Sequence, residues 1–156
     1  MRSLLLVALV GLTGCLPPDT PAKHAAKPDP DIAELVHTWT VENHVLAGNS
    51  SITDGDALAN HGRTVEITTS GYSSPFTGSC DDAARARRER VFADVSVELD
   101  LAGEARDTAI HFGFGDPLVE YRLTCPDHTR TVPLVIFISG KRAMTCFAGA
   151  CYLLAY

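Results

Sequence analysis

Residues 132–156, VPLVIFISGKRAMTCFAGACYLLAY, decide how this chain folds. Residues 132–139 are nearly all apolar, the composition of a strand covered on both faces. Pro133 cannot donate to a ladder, so it belongs at the strand's start or on an edge. Residues 141–146 and 151–156 then read as a terminal hairpin. Its loop, Phe147-Ala148-Gly149-Ala150, is short enough to bring the Cβ atoms of Cys146 and Cys151 together.

The same alternation recurs upstream. Residues 118–125 set Val119, Tyr121 and Leu123 against Glu120, Arg122 and Thr124. The most regular pattern is residues 91–101, where Val91, Ala93, Val95, Val97, Leu99 and Leu101 alternate with polar residues; it predicts a strand with one wet face. Residues 63–69 alternate around Val65 and Ile67. Residues 36–45, with Trp39, Val41 and Val45, form the predicted first strand. Residues 53–61 start with capping residues, continue through Ala57, Leu58 and Ala59, and stop at Gly62, which predicts a short helix. Residues 81–90 predict a second helix, with acids first and arginines last, the order the helix dipole favours. Its Arg85, Arg87, Arg88 and Arg90 are the one basic cluster, read as a solvated face or, more sharply, as an anion or acidic-partner contact. Residues 70–79 read as a loop or irregular strand, and residues 104–114 fit a short helix or a strand. The expectation is a mainly β fold: a small antiparallel β-barrel or strongly curved sheet of about seven or eight strands, with one or two short helices.

The N-terminus carries a different signal. Arg2 precedes an apolar run over residues 4–12, too short for a ~30 Å hydrocarbon core that needs about 20 residues, but suited to a signal peptide. The run ends in Leu12-Thr13-Gly14-Cys15, which resembles the lipobox of bacterial lipoproteins. The resemblance implies cleavage before Cys15 and diacylglycerol on its thiol. With two or more acyl chains, such as palmitate, anchoring to the lipid bilayer is stable, at about 0.8 kcal/mol per buried CH₂. Residues 1–14 are then signal peptide, residues 15–31 the lipidated cysteine and a tether with five prolines, and residues 32–156 the folded domain. His24 and its neighbouring lysines in the tether are read as solvated. Leu16, where enterobacteria-like sorting reads Asp as an inner-membrane signal, points to the outer membrane.

Composition narrows the function classes. The chain has 19 acidic against 13 basic residues, net −6 with histidine neutral. That balance disfavours nucleic acid, which needs a basic footprint. Cys15 apart, four cysteines remain, and an even number in an exported chain reads as two disulfides. Of three pairings, Cys146–Cys151 with Cys80–Cys125 is favoured by the hairpin. In the chain-entropy model the long link stabilises by about 4 kcal/mol and the short one by about 2. Zinc-type Cys or His spacing is missing, so no metal or other cofactor is expected.

No phosphate loop, HExxH or Gly-x-Ser-x-Gly motif occurs. His37, His44, His61, His111 and His128 are scattered; His44 with Glu42, or His111 with Asp107, are pairings without a motif behind them. Phe76, Phe112, Phe114, Phe137 and Phe147 are read as core. The order of tether, Trp39 strand, short helix ending at Gly62, strand, Cys80, then Cys125 and a closing strand pair resembles small lipocalin-like (calycin) lipoproteins of proteobacteria, with His37 standing at the glycine of their Gly-x-Trp signature. Thr69-Ser70-Gly71-Tyr72-Ser73-Ser74 resembles, more thinly, the Ser/Gly-rich loop of membrane-bound inhibitors of c-type lysozyme. The functional expectation is a non-enzymatic cell-envelope lipoprotein that binds a small apolar ligand or an envelope protein. The alternative is an inhibitor of an envelope-directed hydrolase, with Ser70, Gly71, Tyr72 and Ser73 as its partner loop.

Overall fold

The computed structural model describes residues 32–126 and 132–156; the residues expected to be signal peptide, lipobox and tether, and His128, lie outside them. Nine strands form one antiparallel sheet: β1 Thr38–Leu46, β2 Thr64–Ile67, β3 Tyr72–Ser74, β4 Gly78–Cys80, β5 Ala84–Arg90, β6 Leu118–Thr124, β7 Leu134–Ser139, β8 Arg142–Phe147 and β9 Ala150–Ala155. Three helices accompany them: α1 Asp54–Leu58, α2 Phe92–Glu98 and α3 Glu104–Phe112. The strand order is β4-β3-β2-β1-β9-β8-β7-β6-β5.

That order dictates curvature. β4 and β5 stand at opposite ends of the sheet, yet only residues 81–83 join them. At no more than about 3.6 Å per residue, so short a link cannot cross a flat sheet of this width. The sheet curls into a half barrel, the strongly curved sheet expected from the sequence. Its two ends are fastened together. The Cys80–Cys125 disulfide joins β4 to the end of β6. The Ala83 amide donates to the Ser70 carbonyl at 2.8 Å. The Arg85 guanidinium donates to the carbonyls of Thr68 and Thr69 at 2.8 and 2.7 Å.

Both faces of the sheet are covered. The inner face is filled by Trp39, Val65, Ile67, Tyr72, Tyr121 and Tyr152, with others. Each such side chain contributes about 1.5–3 kcal/mol on burial. On the outer face, α2 and α3 place Phe92, Val95 and Ala109 against Phe137, Met144 and Leu153. This explains the unbroken apolar run of β7: Ile136 and Ile138 serve one core and Phe137 the other. The second disulfide joins Cys146 and Cys151, directly opposite each other across β8 and β9.

Two stretches differ from the sequence expectation. Residues 81–90 form no helix; β5 pairs along its whole length with β6, from Ala84 opposite Thr124 to Arg90 opposite Leu118. Alanine, arginine and glutamate favour helix locally, but ladder bonds and ion pairs across the sheet override so weak a preference. Arg88 and Arg90 both meet the buried Glu120 carboxylate, and Arg90 also meets Glu98 of α2. Residues 91–101 are helical, not extended. Phe92, Val95 and Ser96 are buried at helical spacing, while Val97 is 82% exposed. Residues 70–79, expected as a loop or an irregular strand, contain most of a hairpin of two short strands, β3 and β4. The ambiguous residues 104–114 form α3, which ends where Gly113 adopts φ 114°, a left-handed conformation that costs glycine little. The helix predicted at residues 53–61 is α1, opened by a reciprocal capping box between Thr53 and Asp56.

Candidate functional site: a cleft beside the open edge of β1

β2 pairs only with Thr38, Trp39 and Thr40 of β1. The turn after α1 covers the next residue: the Val41 amide donates to the Arg63 carbonyl, and the Gly62 amide to the Val41 carbonyl, each at 2.9 Å. From Asn43 onward β1 has a strand partner on its β9 side alone. A bulge between Val41 and Asn43 shifts the register there. It also exchanges the faces: Trp39 and Val41 point into the inner core, whereas Val45 points into the outer one. His44 is thereby set on the inner side, opposite Tyr152.

Beside this edge lies a cleft of about 410 Å³, lined by His44, Val45, Leu46, Asp54, Ala102, Glu104, Ala105 and Thr108. β1 forms its floor, α1 one wall and α3 the other. The His44 side chain is 8% exposed. Its Nε2 lies 3.0 Å from Asp54 Oδ1, and its Nδ1 lies 2.9 Å from His61 Nε2. Burial, and next the His44 charge, lower the His61 pKa, against the pull of Asp54. Behind the pair, Asn60 Nδ2 donates to the Tyr152 hydroxyl at 3.0 Å, and burial raises the Tyr152 pKa. Glu104 enters no ion pair among the described residues.

A second hollow of about 550 Å³ is lined by Glu89, Arg90, Val91, Asp94, Asp116 and Pro117. Two of its polar groups are engaged within the fold. Arg90 holds Glu98 and Glu120, keeping the Glu98 carboxyl below its usual range. Asp116 Oδ1 accepts the Phe92 amide at 2.7 Å and thereby caps α2. Elsewhere, Tyr121 donates to Glu34 at 2.8 Å and accepts from Arg87 Nε at 3.3 Å. Burial, then that carboxylate, push its pKa up to about 12. All four arginines read from the sequence as one basic cluster therefore contact groups of the fold.

The structure redistributes the sequence candidates. Neither histidine pairing holds as read: Glu42 binds Arg142 at 3.0 Å, and His111 Nδ1 meets the backbone carbonyl of Asp107 at 2.7 Å. Instead His44 joins His61 and Asp54, which sequence spacing does not signal. In the loop at residues 70–73, the Tyr72 side chain is in the inner core at 4% exposure, while Ser70 and Ser73 are exposed. Gly71 is required there, because a Cβ would stand 1.9 Å from the Cys80 carbonyl oxygen. Phe76, Phe114 and Phe137 are buried; Phe147 is 41% exposed, and Phe112 carries the Arg142 guanidinium 4.6 Å above its ring. Cys15 lies outside the described residues. Among those residues, no cluster of His, Cys, Asp and Glu is arranged to hold a metal, and no helix is long and apolar enough to cross a membrane. Comparison with family models, curated proteins and solved structures finds no match to this chain.

Proposed function

We propose that the protein is a lipid-anchored, non-catalytic binding module of the cell envelope, at the outer membrane, whose partner is an envelope protein held in the cleft between β1, α1 and α3. The observation that carries this reading is the contrast between the inner face of β1 and its open edge. The inner face, where a lipocalin-like protein would hold a small apolar ligand, is filled by Trp39, Tyr121 and Tyr152, each at most 1% exposed. The edge of the same strand opens onto a polar cleft. Both ring nitrogens of His44 are engaged, by Asp54 and His61, which suits a positioning group better than a general base. Two disulfides suit an oxidising compartment, and the Leu12-Thr13-Gly14-Cys15 pattern supplies the anchor.

In-cell photo-crosslinking tests the site. Benzoylphenylalanine replaces Thr108 in the cleft or, as a control, the exposed Val97 on α2. A discrete crosslinked species from position 108, absent from position 97, is the expected result. Equal patterns from both positions, or none from position 108, would overturn the assignment.

A further inference from the structure

We propose that the outward edge of β1 at His44 and Leu46 accepts an extended peptide segment bearing basic side chains, so that the partner binds by adding a short strand to the sheet. This rests on the cleft being the binding site.

Backbone geometry supplies the first part of the argument. The Ala47 amide donates to the Gly149 carbonyl at 2.8 Å. In an antiparallel ladder hydrogen-bonded and non-bonded pairs alternate. Counting back along the register, Val45 and Asn43 therefore turn their polar groups toward β9, while Leu46 and His44 turn theirs outward. The fold already caps one outward donor with its own side chain: the His44 amide donates to Asn43 Oδ1 at 2.8 Å. Among the described residues nothing bonds the amide or carbonyl of Leu46. The edge thus presents one donor and one acceptor at Leu46 and a further acceptor at His44, on the floor of the cleft. An extended chain laid alongside satisfies all three, the pattern by which peptides augment exposed sheet edges.

Charge selects the occupant. Asp54 on one wall and Glu104 on the other carry carboxylates, and neither lysine nor arginine lines the cleft. A Lys or Arg side chain of the incoming strand reaches these carboxylates. A second copy of this chain, net −6, brings the wrong sign.

The test uses the full chain in detergent and an eight-residue peptide of alternating lysine and threonine, with a glutamate–threonine peptide as control. Amide hydrogen exchange is followed by mass spectrometry with fragmentation to single residues. The lysine peptide is expected to slow exchange at Leu46 about tenfold at saturation. It should bind about tenfold more weakly to the Asp54→Asn, Glu104→Gln double variant. Equal protection by the glutamate peptide overturns the selection for basic side chains, and no protection at Leu46 overturns strand addition. If crosslinks from position 108 persist in that case, the cleft remains the binding site and only the strand mode falls; if both are lost, both readings fall.

Discussion

A carboxylate at neutral pH only accepts, so Asp54 Oδ1 fixes a hydrogen on His44 Nε2. The 2.9 Å contact between His44 Nδ1 and His61 Nε2 then holds one proton between two nitrogens. Burial disfavours the charged imidazolium of His61 and the neighbouring His44 adds to that effect, which is why His61 resists protonation in the folded chain. The unfolded chain has no such conflict and takes up its proton near the ordinary histidine value of about 6.5. Below that pH the unfolded state binds more protons than the folded one, so stability must fall as pH falls. Urea midpoints measured between about pH 8 and pH 5 should be flat above the ordinary histidine value and decline below it, and His61→Gln should flatten the decline. A wild-type curve that rises toward acid would contradict this account of the pair. The cluster was not legible in the sequence. His44, Asp54 and His61 lie on three segments, and the bulge at Val41 and Asn43 that sets the face of His44 has no signature in the residues around it. The cap of α1 was legible, because Thr53 sits where an N-cap residue belongs.

At the scale of elements, β1, β2, β6, β7 and the β8–β9 hairpin were readable, because each alternates or runs apolar in a window too short for a helix. Two neighbouring segments fold opposite to their local pattern, and for one reason: local pattern and tertiary context disagree there. The ARARRER stretch of β5 is made of helix formers, yet its arginines have Glu120, Tyr121 and the Thr68 and Thr69 carbonyls to meet only as a strand. Residues 91–101 alternate well enough for a strand, but the same letters place Phe92, Val95 and Ser96 on one helical face over the outer core. Substitution separates the two readings. A strand puts Val95 and Val97 on the same face, so truncating either should cost alike. In α2, Val95 is fully buried and Val97 is 82% exposed. Val95→Ala should therefore lose about 1–3 kcal/mol of stability, while Val97→Ala should be neutral or gain up to about 0.5 kcal/mol from helix propensity. Chemical denaturation of both variants checks this, and equal losses would restore the strand.

At the scale of the molecule, the disulfide pairing was legible because the short hairpin settles one bridge and leaves one partner for the other. The path of the sheet was not, since nothing local says that β4 and β5 stand at opposite ends of the order. Cys80–Cys125 fastens those ends, with 45 residues of separation, whereas Cys146–Cys151 closes a hairpin whose ladder already holds it. Removing the first bridge by Cys80→Ser, Cys125→Ser should cost about 4 kcal/mol, and removing the second by the matching pair about 2 kcal/mol. Thermal unfolding of the two double variants gives the order directly, and a reversed order would mean that the hydrogen bonds of Ala83 and Arg85, more than the bridge, hold the ends of the curl.

The function proposed for the cleft presupposes a domain tethered at a membrane surface, and metabolic labelling with palmitate reads that premise directly. The account predicts that wild-type protein takes up the label and sediments with membranes, while Cys15→Ser does neither. A wild-type chain that stays unlabelled, or a Cys15→Ser chain that fractionates as its parent does, would contradict it.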